Sequence, residues 1–249
     1  MFPMLFFELF LGALLAFAAT AAGAALVLHN SRLGRGACAG IMAFSSGVMG
    51  LAAVEMFLQS HAASGDSAAL AGLALGLVAF VVLDRILPHA HNFMKKGAKL
   101  PPKKKKAALL AGTITLHNIP EGFAIASAFA TSPPLGWLVA VSIAVQDFPE
   151  GFIVSAPLCA YKVKSKSSFF CGAFSGFVEF MAAIVGFLFL STMQAIAPFA
   201  LAFSAGAMAY VTAFELLPDA FSVKGKILPT AAFFAGVAAT FILSRILAA

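Results

Sequence analysis

Long apolar runs separated by short polar stretches organise this chain. Eight runs are long enough to cross a bilayer, near 5–28, 37–59, 68–88, 107–130, 136–159, 168–190, 198–220 and 227–247; a spanning helix needs roughly 20 residues. Little chain is left between them. The pattern predicts an all-α integral membrane protein in which 1–249 form a single transmembrane domain. Composition agrees, with 61% hydrophobic and 10% charged residues, whereas a soluble domain carries about 25% charged residues. The first 31 residues contain no Lys or Arg. The first run therefore lacks the basic leader of a secretory signal peptide and is expected to stay as a helix.

Charge sets a topology. Basic residues fall in every second connection: Arg32 and Arg35; Arg85, Lys95, Lys96, Lys99 and Lys103 to Lys106; Lys162, Lys164 and Lys166; Lys224 and Lys226. The alternate connections, 59–67, 131–135 and 191–197, contain none. The positive-inside rule puts the basic connections in the cytoplasm and both termini outside. Arg245 falls on the other side, where its long side chain can snorkel to the interface. The Lys-rich cytoplasmic loop at about 89–106 reads as a topology determinant touching anionic lipid, not as a nucleic-acid site. His89 and His91, which open that loop, are candidate metal ligands at a cytoplasmic exit. Cys38, Cys159 and Cys171 have no CxxC spacing and read as small buried hydrophobes.

Two patterns recur. Phe44-Ser45-Ser46-Gly47-Val48-Met49-Gly50 in the second run is matched by Phe203-Ser204-Ala205-Gly206-Ala207-Met208-Ala209 in the seventh. His117-Asn118-Ile119-Pro120-Glu121-Gly122 in the fourth run is followed 29 residues later by Gln146-Asp147-Phe148-Pro149-Glu150-Gly151 in the fifth. With this topology the members of each pair run in opposite directions. That predicts an inverted repeat, helices 1–3 against 6–8 with 4 and 5 between them, as in many secondary transporters.

The second pair carries the chemistry. On a helix, His117 and Glu121 share one face, and Gln146 and Glu150 repeat the spacing. All four lie about 12 residues from the ends of their runs, about 18 Å along a helix and close to mid-bilayer. Ionisable side chains at that depth are costly and mark ion paths. Pro120 and Pro149 each remove a backbone donor, and the glycine after each Glu permits close helix approach or an unwound turn. Glu179 adds a carboxylate in the sixth run. Glu121, Asp147, Glu150 and Glu179 together carry up to four negative charges, which protons or cations must offset. Two divalent ions would balance them, as would one metal ion with protons. Imidazole with carboxylates suits zinc and its first-row neighbours. Met49 offers a thioether at mid-helix, Glu215 and Asp219 read either as lining of an exit route or as solvated interfacial acids, and Glu55 is placed to gather cations outside.

On these residues the chain resembles the ZIP (Zrt-/Irt-like) family of divalent-metal transporters, in its compact bacterial branch, over essentially its whole length. The resemblance implies a metal site of His117, Asn118, Glu121, Gln146, Asp147 and Glu150, bridged by Glu179 and helped by Met49. It also implies uptake of Zn2+ toward the cytoplasm across a bacterial plasma membrane, tolerance of Cd2+, Fe2+ or Mn2+, and a homodimer. Many members have His where this chain has Gln146, a weaker neutral ligand. Two rival readings use the same residues: an intramembrane metal-dependent hydrolase with Glu121 or Glu150 as general base, and a membrane metal sensor. Neither finds support elsewhere, since the chain has no HExxH and no sizeable soluble output domain.

Overall fold

The computed structural model describes the backbone of residues 2–29, 34–97, 102–160, 162–192 and 194–247, and their side chains except at 2, 84, 86–97, 102–116, 157, 160, 191, 192 and 194. Every regular element among them is helical: α1 (Phe2–His29), α2 (Arg35–Gly97), α3 (Pro102–Thr131), α4 (Pro133–Ala160), α5 (Ser165–Thr192), α6 (Ala197–Val211), α7 (Leu217–Ala220) and α8 (Ile227–Leu247). Six stretches among the described residues are long and apolar enough to cross a membrane.

Three boundaries differ from the sequence pattern. The connection expected at 59–67 is helical except at Gly65 (φ 77°, ψ 174°), so the second and third runs form two arms of α2, 35–64 and 66–97. That conformation is essentially confined to glycine, and a single residue therefore makes the bend. The Lys-rich loop is also shorter than expected, because α2 runs to Gly97 and α3 starts at Pro102; lysine and alanine are good helix formers. The seventh run is interrupted by a π-turn, Thr212–Leu216, where the Leu217 N–H bonds to the Thr212 carbonyl. Pro218 follows and has no N–H to continue the α-ladder. By contrast, Pro120 and Pro149 do not break their helices: α3 and α4 run through both.

Helices group into two bundles. In one, α1, α3, α4 and α5 pack on each other; in the other, both arms of α2 pack with α6, α7 and α8. The bundles meet where α3 touches α6 and α2 touches α4. Glycines set the closest crossings. A Cβ at Gly47 would overlap the Phe233 carbonyl of α8, and one at Gly206 the Leu73 carbonyl in the second arm of α2. Gly122 is held in the same way against the Glu179 carbonyl of α5, and Gly151 against the Thr20 carbonyl of α1. The glycine of each recurring motif is thus spent on backbone contact, which membrane helices use in place of a hydrophobic driving force. The apolar core joins the bundles through Met49, Met56, Ile125, Phe129, Ile143, Leu201 and Met208, all buried.

Two side-chain expectations change. None of the three cysteines is fully buried: Cys171 is exposed on α5, and Cys38 and Cys159 are half-buried. Glu55 lies beside the Ser244 hydroxyl and within electrostatic reach of Arg245. The arginine that ran against the charge pattern is therefore near a carboxylate, and Glu55 has a cationic neighbour where a free cation-gatherer was expected.

Candidate metal centre

The site is built from α3, α4 and α5 inside the first bundle. The i, i+4 spacing on α3 and α4 turns Glu121 and Gln146 toward each other, and the Gln146 amide N–H donates to Oε1 of Glu121. The backbone contact of Gly122 with Glu179 draws α5 to the same level. As a result one carboxylate oxygen from each of Glu121, Asp147 and Glu179 gathers within 4.8 Å of the others, all three residues being buried. Like charges this close in a desolvated site repel strongly unless a cation or proton stands among them.

The polar atoms around this triad are not satisfied by the protein. Oε2 of Glu121, Oε1 of Gln146 and both amide atoms of Asn118 are buried without a hydrogen-bond partner, and the carboxyl groups of Asp147 and Glu179 have only each other and the Thr20 hydroxyl beside them. Native interiors rarely leave such groups unpaired. Here they cluster on three helices at one level, as ligands awaiting a cation do. Glu150, 7% exposed, stands outside the gathered triad but within electrostatic reach of Glu121, Asp147, Glu179 and His117.

His117 does not point into the triad. Its Nε2 lies 2.8 Å from Oε2 of Glu215 on the π-turn, so the imidazole N–H donates to a carboxylate of the other bundle. His117 is nearly buried, whereas the Glu215 side chain is 22% exposed, which makes this edge the more open side of the centre. Asp219 is exposed. Met49 is buried within the apolar core on α2, and Met208 lies in that same core on α6. The side chains of His89 and His91 lie outside the described residues.

Sequence reasoning missed one participant and one pairing. Thr20 of α1 neighbours Asp147 and gives its own hydroxyl proton to the Ala16 carbonyl; a lone hydroxyl in an apolar helix was the available signal. The pairing of Glu215 with His117 had no sequence signal, because nothing local relates α3 to the π-turn. A third polar contact lies at the far end of the bundle, where Trp137 Nε1 donates to Glu8 Oε2 at 3.2 Å.

Comparisons with known proteins bear on the same residues. The sequence signature of the family described as "ZIP Zinc transporter" matches residues 88–244, which contain His117, Glu121, Gln146, Asp147, Glu150, Glu179 and Glu215. The chain is similar to the zinc transporter GufA of Myxococcus xanthus, 35% identical over 221 residues that cover 83% of this chain and 85% of that protein. It is also similar to the zinc transporter ZupT of Shigella flexneri, 32% identical over 214 residues covering 82% of this chain and 83% of the relative. ZupT of Escherichia coli O7:K1 stands at the same identity and coverage.

Proposed function

The chain belongs to the ZIP zinc transporter family, and from that premise we propose that it imports zinc-type divalent ions toward the cytoplasm through a two-ion site at mid-membrane. The ligands are His117, Asn118, Glu121, Gln146, Asp147, Glu150 and Glu179. The observation that carries this reading is the buried triad of Glu121, Asp147 and Glu179, gathered within 4.8 Å with Oε2 of Glu121 unpaired. Its relatives are named as transporters, so the hydrolase reading is set aside. Zinc is substrate here, bound and released in each cycle. Cadmium, iron and manganese are accepted less selectively through the same oxygen-rich half of the site.

Eight crossings result when the two arms of α2 are counted separately and α3 is added to the apolar spans. The basic connections then face the cytoplasm and both termini face out. An inverted repeat is supported by the exchange of contacts: Gly47 meets α8 where Gly206 meets the second arm of α2, and Gly151 meets α1 where Gly122 meets α5. The apolar layer of Ile125, Phe129, Ile143 and Met56 lies on the extracytoplasmic side of the acids in this topology and seals it. His117, Glu150 and Glu215 mark the side from which ions leave. Met49 borders the site from the second bundle, and His89 and His91 receive ions beyond it.

The test is uptake of zinc and cadmium into proteoliposomes, with wild type beside Glu121→Ala and Glu150→Ala. Saturable flux that is lost in both variants is the expected result. A folded wild-type protein that binds metal but passes none would overturn the carrier reading.

A further inference from the structure

Two groups on different bundles share one hydrogen bond. His117 belongs to α3, in the bundle that holds the acids, and Glu215 to the π-turn between α6 and α7, in the other. Their contact is 2.8 Å, and the imidazole is almost fully buried. A carboxylate only accepts, so Nε2 carries the proton and points it at Glu215. A nitrogen in that state has no lone pair for a metal ion. The ring's placement agrees: among the described residues the ligand atoms that gather are those of Glu121, Asp147 and Glu179, and no His117 nitrogen joins them.

We propose that Glu215 is a positioning residue that holds His117 away from the metal, so that the His117–Glu215 bond latches the two bundles together until metal binding releases it. This rests on the reading of His117 as a metal ligand. To coordinate through Nε2, the imidazole gives up its bond to Glu215 and turns toward the acids. Metal entry therefore breaks a contact between the bundles as it makes one within a bundle. Each step disfavours the other, and site occupancy is coupled to the freedom of one bundle to move against the other, as reciprocal linkage requires. The π-turn supports the assignment. Such bulges are frequent at functional sites, and this one carries Glu215.

A different role would use the same contact in the opposite sense. Carboxylates commonly orient a metal-bound histidine through its second nitrogen, and removing such a partner weakens metal affinity about 10- to 100-fold. A latch competes with metal, and removing it tightens binding. The sign separates the two.

The experiment is a double-mutant cycle on zinc affinity of the purified full-length protein: wild type, Glu215→Ala, His117→Ala and the double variant. The His117→Ala background absorbs what the lost charge at 215 does through space. A latch makes Glu215→Ala bind zinc about tenfold tighter, relative to its effect in that background, as expected for loss of a competing charge-assisted bond. Weaker binding, or an equal effect in both backgrounds, overturns the proposal. Unchanged affinity in His117→Ala alone removes the ligand reading itself, and the latch with it.

A second readout follows the bundles directly. Spin labels at Phe174→Cys on α5 and Phe234→Cys on α8, both exposed positions, are placed in a background lacking Cys38, Cys159 and Cys171. Zinc shifts the inter-label distance in the wild type, and metal-free Glu215→Ala already shows the zinc-bound distribution. A metal-free Glu215→Ala distribution identical to the metal-free wild type overturns the latch.

Discussion

Gly122 and the carbonyl of Glu179 are in backbone contact: a Cβ at 122 would overlap that oxygen. Gly122 directly follows Glu121, and the carbonyl is the backbone carbonyl of Glu179, so one crossing of α3 and α5 sets the separation of two of the three gathered acids. Substituting Gly122→Ala forces the helices apart. Overpacking of this kind costs about 1–3 kcal/mol. The expected outcome is a fall of several degrees in the thermal midpoint of detergent-solubilised protein, with weakened zinc binding. Gly225→Ala is the control, since nothing lies within 4 Å of a Cβ there, and its midpoint stays with the wild type.

Three acids crowded into one desolvated site favour a cation among them. Asp147→Asn and Glu179→Gln keep size and remove charge from a triad whose oxygens lie within 4.8 Å. Each variant is expected to be more heat-stable than wild type without metal and to gain less from zinc. A ligand at 100 times its Kd stabilises by about 2.7 kcal/mol, and most of that increment should vanish. Thermal melts with a chelator and with saturating zinc measure both halves. Equal zinc-induced shifts in wild type and variants would remove these two carboxylates from the site.

Gln146 donates its amide N–H to Glu121 and keeps its own Oε1 unpaired. Gln146→Leu loses both the donor and the free oxygen. A typical hydrogen bond contributes about 0.5–1.5 kcal/mol, so with the ligand oxygen also lost zinc affinity should fall roughly tenfold. Gln146→His, which keeps one donor and one lone pair, should retain or tighten binding. Calorimetric titration of the three proteins gives the order, and Leu binding as well as Gln would reject the role.

The bend of α2 depends on one residue. Gly65 at φ 77°, ψ 174° occupies a region that side chains avoid, at a cost of about 1–3 kcal/mol. Gly65→Ala should lower the thermal midpoint even though nothing lies within 4 Å of its Cβ, which separates backbone strain from crowding. Gly34→Ala, likewise in open space but without a positive φ, should leave stability unchanged.

By itself the sequence determined the helical, membrane-embedded character of the chain and the residue types of the centre. Both are local properties. Hydropathy is summed over one run at a time, and i, i+4 spacing on an α-helix puts His117 with Glu121 and Gln146 with Glu150 before any helix packs. Pro120 and Pro149 were legible as well, but their effect was not, because neighbouring helices keep α3 and α4 continuous through both. Only the tertiary structure decided which spaced ligands meet. Helix crossings at Gly122 and Gly151 brought Glu121, Asp147 and Glu179 together, left Glu150 at their edge, set Arg245 near Glu55 and turned His117 toward Glu215. The reason is geometric: side chains far apart in sequence converge only where backbones pack, and that packing is a property of pairs of helices that no single segment encodes.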